Sequence, residues 1–160
     1  MARGRDKVYL IVLVAQLAGI LLLDLVPFYP TVLQRRLVGV RSWWSAYSGD
    51  PYYGSVPHEP WFASFMYIEI LAQLPLTLYL VYRLSRSRLN TTGPVELAAV
   101  AYGCLTCMGS LACCFDIWHM GPDRVSDKQK GQLLWGTYLP FVLIPGIMTV
   151  DMYLRLLEHM

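Results

Sequence analysis

Two carboxylic acids stand where an acid is expensive: Glu69 lies near the middle of the apolar run Trp61 to Tyr82, and Asp24 closes the apolar run that begins at Val8. On insertion scales an acid at the centre of a membrane span costs about 2.5 to 3.5 kcal/mol, so such a residue normally faces a bundle interior, a partner or a cavity. Counted from the same side, Glu69 lies about 12 Å deep at helical rise and Asp24 roughly 5 to 9 Å, a gap that side-chain length and tilt can close. Two carboxylates in a low dielectric do not both ionise cheaply, so the pair is expected to share a proton, Glu69 keeping it and Asp24 bearing the charge. No Lys or Arg lies inside a span near this level, which leaves a cationic or strongly polar ligand as the natural partner. The plainer reading is that Asp24 reaches interfacial water and Glu69 stays neutral against a neighbouring helix.

Other residues belong to the same expected hollow. Pro75, Pro140 and Pro145 each remove a backbone donor and tend to kink a spanning helix, which splays neighbours apart. Gln73, one turn from Glu69, would satisfy a carbonyl freed by Pro75 or line the hollow. Phe65, Tyr102, Tyr138 and Phe141 would supply apolar walls, although core packing is the commoner fate of such aromatics. The remaining acids read as structural. Asp151 has Arg155 one turn on, Asp116 lies at a span end, Glu96 sits in a first helical turn, and Asp50 before Pro51 fixes a turn through local backbone amides.

The elements that must carry these residues follow from composition. Of 160 residues 56% are hydrophobic and only 15% charged, and the mean hydropathy is positive, which excludes disorder and argues against a soluble domain. The formal charge of +2 gives no footing for nucleic acid. All four cysteines, Cys104, Cys107, Cys113 and Cys114, fall in one apolar segment, so they read as small apolar residues; no metal or other cofactor is expected.

A spanning helix takes about 20 apolar residues, and this length accommodates four in one domain, at about 8–28, 61–82, 95–118 and 133–157. The expected fold is an all-α, four-helix membrane bundle. Residues 29–60 form the longest connection, in which Leu33, Leu37, Val40, Trp44 and Tyr47 recur at helical spacing beside Arg35, Arg36 and Arg41. An amphipathic interfacial helix and an aromatic belt are expected there, together forming a lid over one end of the bundle. Thr91-Thr92-Gly93-Pro94 reads as a helix start. Basic residues divide seven to six between the two sides; the short acid-free loop with Arg83, Arg86 and Arg88 tips both termini to the cytosol, the lid to the lumen, and leaves the Asn90 sequon unused. Along the third span Ala99, Gly103 and Cys107 form a small-residue stripe suited to close helix contact, within the bundle or with a second copy.

Leu23-Asp24-Leu25, Asp50-Pro51, Trp61-Phe62 with Ser64-Phe65, Glu69, Gln73-Leu74-Pro75 and the stretch Tyr138 to Pro145 together resemble the EXPERA membrane family, over nearly the whole chain. The likeness is nearest to its receptor-like branch. It implies a four-helix protein of the endoplasmic reticulum whose intramembrane pocket binds sterols and cationic amphiphilic amines, with a role in sterol homeostasis and a homodimeric state. In that pattern Asp24 pairs with the ligand amine, Glu69 hydrogen-bonds to it in protonated form, and Asp50 shapes the lid; Pro51 and Trp44 are expected in the lid beside it. The family also contains sterol Δ8-Δ7 isomerases, which carry a His one turn before the acid of the second span. Here Phe65 stands at that place, and His58, His119 and His159 all lie in loops or at the terminus. A binder is therefore expected rather than an enzyme, with a sterol-responsive adaptor as a third possibility.

Overall fold

The computed structural model describes residues 2–53, 59–86 and 91–158. Asn90 of the sequon, with Pro57, Arg88, His58 and His159, lies outside them. The described chain is almost entirely helical, with no strand among the described residues, and four of its helical stretches are long and apolar enough to cross a membrane: Gly4–Asp24, Pro60–Arg86, Gly93–His119 and Asp127–Glu158.

The first of these begins and ends earlier than its hydropathy suggests. Helix α1 (Ala2–Gly19) runs on through a π-helical turn, Ile20–Asp24, and gives way to a 3-10 turn, Val26–Phe28. Pro27 has no amide hydrogen and crowds the preceding turn, which stops the α-helix short of the expected Phe28. At its other end α1 carries charge into the span because the charge is paired. Arg155 bridges Asp6 at 2.8 Å and Asp151 at 2.6 Å, Arg5 pairs with Asp151, and the Tyr9 hydroxyl donates to Asp151 at 3.1 Å. The local Asp151–Arg155 pair expected from spacing is thus part of a clasp that binds the start of the first span to the end of the fourth.

Helix α2 (Thr31–Ser48) is the connection expected as an interfacial helix, closed by Gly49 in the left-handed region at φ 66°. A side chain at Gly49 would be strained in that conformation and would also strike Gln129. The chain then makes a 3-10 turn at Pro51–Tyr53. The second span is α3 (Pro60–Ile68), a π-helical turn Glu69–Gln73, and α4 (Leu74–Arg86). The third is the uninterrupted α5 (Gly93–His119), started by Thr92 with Pro94 in its first turn. The fourth opens with α6 (Asp127–Leu133), capped by a reciprocal Ser126–Gln129 box, passes through a third π-helical turn at Leu134–Tyr138, and ends as α7 (Leu139–Glu158).

Two apolar cores hold the helices. One, near the lid, gathers Tyr52, Phe62, Met66, Ile117, Val125 and Leu133; the other, at the clasp end, gathers Tyr9, Leu13, Leu80, Ala99, Tyr102, Met148 and Met152. The small-residue stripe of the third span is consumed inside the second core region. Ala99 is fully buried, and a Cβ on Gly103 would stand 2.8 Å from the Pro145 carbonyl oxygen and 2.1 Å from Thr149 Oγ1. The stripe is therefore the seam between spans three and four, and a homodimer through it, as the sequence suggested, would have to use another face of α5.

Because the Pro145 carbonyl cannot rotate away, Gly103→Ala is expected to destabilise the bundle by about 1 to 3 kcal/mol, lowering its thermal midpoint in detergent. Thr149→Ala should restore only part of the loss. Gly131→Ala, where a Cβ meets nothing within 4 Å, serves as the control and should be neutral or slightly stabilising.

Candidate functional site

Three prolines set the geometry of the site. In each of three spans a π-helical turn ends two or three residues before a proline: Ile20–Asp24 before Pro27, Glu69–Gln73 before Pro75, and Leu134–Tyr138 before Pro140. The residue after each turn donates its amide back five positions, Leu25 to Ile20, Leu74 to Glu69 and Leu139 to Leu134. The wider turn gives the proline ring room where a tight α-turn would drive it into the preceding carbonyl. In span one the Tyr29 hydroxyl donates to the Leu21 carbonyl at 2.9 Å, satisfying an acceptor that the π register bypasses. Asp24, Glu69, Gln73 and Tyr138 all ride on these turns.

Between the two cores lies a cavity of about 320 Å³. Its walls come from span one (Gly19, Leu23, Asp24), span two (Phe65, Glu69, Gln73), α5 (Leu105, Thr106, Gly109) and span four (Thr137, Tyr138, Phe141), and the lid closes it with Trp44, Asp50 and Tyr53. The lining is mostly apolar with few polar groups, the usual composition of a small-molecule site. Asp24 and Glu69, from different spans, therefore face the same hollow.

The two carboxyls do not share a hydrogen bond among the described residues. Asp24 instead accepts the Tyr53 hydroxyl at 2.5 Å. Arg41 of α2 also acts on Asp24 and lies 5.6 Å from the centre of the Tyr53 ring. Part of the positive charge that the sequence left unassigned thus comes from the lid, not from a span. Burial and the neighbouring acids push the Tyr53 hydroxyl well above its ordinary range, which keeps it a donor.

One turn of chain ties the lid to the bundle. Tyr52 N–H donates to Asp50 Oδ1 at 3.1 Å, the Asx-type turn expected of an Asp before Pro. Asp50 Oδ2 accepts the Tyr138 hydroxyl at 2.9 Å, and Tyr52 donates to Asp116 at 2.6 Å while stacking on Phe62 with ring centres 4.5 Å apart. With Tyr53 on Asp24, residues 50–53 reach all four spans. Asp116 and Asp50 each accept bonds within the fold. Glu96 likewise accepts the Thr91 hydroxyl at 2.7 Å at the start of α5.

Of the residues expected at the site, Asp24, Glu69, Gln73, Phe65, Tyr138, Phe141, Trp44 and Asp50 line the cavity, and Pro51 opens the turn behind it. Tyr102 does not. It is fully buried in the clasp-end core, and Thr106, one turn on, takes the place on the wall. Sequence reasoning missed Tyr53 and Arg41, because an aromatic and an arginine in a loop next to a membrane carry the signature of an interfacial belt whatever they touch.

Burial in the turn raises Asp50 to about 6, against the pull of its bonds from Tyr52 N–H and Tyr138. A carboxyl whose folded value lies above its unfolded one adds stability below the unfolded value and loses it as pH rises through the folded one. From near pH 4 to above pH 6 the native protein should therefore lose up to roughly 3 kcal/mol relative to Asp50→Asn. The check is the difference in thermal midpoint between the two proteins across that range. A difference independent of pH would remove Asp50 from the account.

No curated protein sequence matches the chain. A family model does, the EXPERA (EXPanded EBP superfamily) domain, over residues 37–152. That range takes in Trp44, Asp50, Glu69, Gln73, Tyr138 and Phe141, while Asp24 lies ahead of it. A match over most of the chain, on four apolar helices around a cavity, places this protein in a family: the chain belongs to the EXPERA superfamily.

Proposed function

We propose that this protein is a sigma-2-receptor-like intracellular membrane receptor that holds a sterol or a cationic amphiphilic amine in its intramembrane cavity. The observation that carries the reading is the meeting of Asp24 and Glu69 on one apolar hollow. A protonated amine brought there gains a charge-assisted hydrogen bond at Asp24 in a medium where charge is poorly screened, and its apolar body takes the place of lipid against Phe65, Leu105 and Phe141. A sterol would use the same walls, with its hydroxyl on a carboxyl, Gln73 or Tyr53. On this reading the protein sits in the endoplasmic reticulum membrane with cytosolic termini, serves sterol homeostasis or trafficking, and carries out no turnover.

The runner-up is a sterol isomerase. Two acids beside an apolar pocket can protonate a ring alkene and stabilise the resulting cation, and a protonated amine imitates that cation. Against it stands Phe65, which lines the cavity wall and offers no proton to pass. A sterol-responsive adaptor would use the same pocket to report sterol level to another protein. A homodimer through the third span would use the outer side of α5, where Leu97, Met108, Leu111 and Phe115 are exposed along one stripe.

Saturable binding of a cationic amphiphile to the purified protein should weaken roughly tenfold or more in Asp24→Asn, the scale of one charge-assisted bond, with the thermal midpoint of the unliganded protein preserved. Phe141→Ala should weaken both the amine and a sterol. Unchanged amine affinity in Asp24→Asn would sink the receptor reading, and conversion of a Δ8 sterol by the purified protein would replace it with the isomerase.

A further inference from the structure

The helix that carries Arg41 and Trp44 toward the cavity has a second, exposed side. Leu37, Arg41, Trp44 and Ser48 of α2 are half-buried toward the bundle, and no residue of the helix is fully buried. The hydrophobic spacing in the sequence merged two faces that the structure separates: Leu37 and Trp44 turn inward, whereas Leu33, Val40 and Tyr47 turn out. At 100° per residue, Val32, Leu33, Arg36, Val40, Trp43 and Tyr47 share an outer arc about 100° wide. Val32 is 71%, Trp43 60% and Tyr47 75% exposed, and Trp43 and Tyr47 stack 9° from parallel at 5.5 Å. Arg35 and Arg36 are both exposed, and the 18 residues contain no acid.

From these facts we infer that α2 is a lipid-binding helix, its outer arc sunk into the bilayer surface beside the bundle and Arg35 and Arg36 on the phosphates of anionic headgroups. Chain length limits what else could cover the arc. Six residues, partly wound into a 3-10 turn, separate Asp24 at the end of span one from Thr31, so the helix begins within about 25 Å of the membrane end of that span. The apolar medium within that tether is the leaflet itself. An aromatic pair on an apolar arc with arginine in its midst suits the headgroup level, where ring edges and guanidinium meet phosphate and the arc meets acyl chain. Because Trp44 and Arg41 sit on the reverse of the same helix, the seat of α2 in lipid also sets where the lid stands over the cavity.

The inference needs no ligand, so its test is independent of the receptor reading. The full chain is placed in nanodiscs of phosphatidylcholine, with and without added phosphatidylserine. Brominated lipids should quench a tryptophan emission component that disappears in Trp43→Phe, while aqueous iodide leaves that component largely untouched. Spin-labelled phosphatidylserine should be preferred over phosphatidylcholine, with the preference falling about fivefold for each of Arg35→Gln and Arg36→Gln. These exposed side chains can be changed without loss of fold, which the thermal midpoint checks. Iodide quenching of Trp43 without bromolipid quenching would overturn the inference by placing the arc in water. Shielding from both would overturn it by placing the arc under protein, and a headgroup preference unmoved by the arginine changes would overturn the phosphate contact.

Discussion

A proline inside a membrane span removes a backbone donor where no water stands by to replace it. This chain meets that constraint at Pro75 and Pro140 in the same way, by opening the turn ahead of the proline to a π-helix, and it ends span one on a like turn ahead of Pro27. The widened turn frees a backbone acceptor and bulges the helix. Polar side chains placed on such turns therefore enter the interior at a depth where an ordinary helix would have offered packing surface. Asp24, Glu69, Gln73 and Tyr138 share that placement, and the cavity is the space that the three bulges leave between two tight cores. The uninterrupted α5 supplies the flat fourth wall.

The lid is bound to this arrangement by acids and tyrosines rather than by apolar area. Asp50, Tyr52 and Tyr53 reach Tyr138, Asp116 and Asp24 on three spans and stack on Phe62 of the remaining one. Each bond is modest in water and worth more where solvent is thin, provided every member keeps its partner. Asp24 thus serves two masters, since the oxygen pair that faces the cavity also holds Tyr53. At the opposite end the Arg155 clasp fixes α1 to α7, so the first span is held at both tips by polar contacts.

The four spans, the meeting of the two acids, the lid and the Asx turn at Asp50 were legible in the sequence because each is dictated locally, by hydropathy, by the cost of a buried charge or by an Asp-Pro step. What stayed hidden needed the third dimension. Tyr53 and Arg41 look like any belt residues, and nothing in their spacing says that they turn toward Asp24. Tyr102 lies at a depth where a cavity wall and a core are chemically alike. The stripe of Ala99 and Gly103 announces close approach but not the partner, which proved to be Pro145 and Thr149. The end of span one at Asp24, rather than Phe28, follows from Pro27, a signal that hydropathy overrode.

The π-turns also bear on how relatives of this chain should be aligned. Each one inserts an extra residue into a helix, so side chains beyond it are turned by about 100° from where a continuous α-helix would put them. A single helical wheel drawn for the second span would therefore mix inward and outward positions on either side of Gln73. A relative that had lost Pro75 and its extra residue would keep the same hydropathy profile while presenting a different face to the interior. Gaps of one residue ahead of a span proline are, in this architecture, changes of shape at the pocket wall rather than noise.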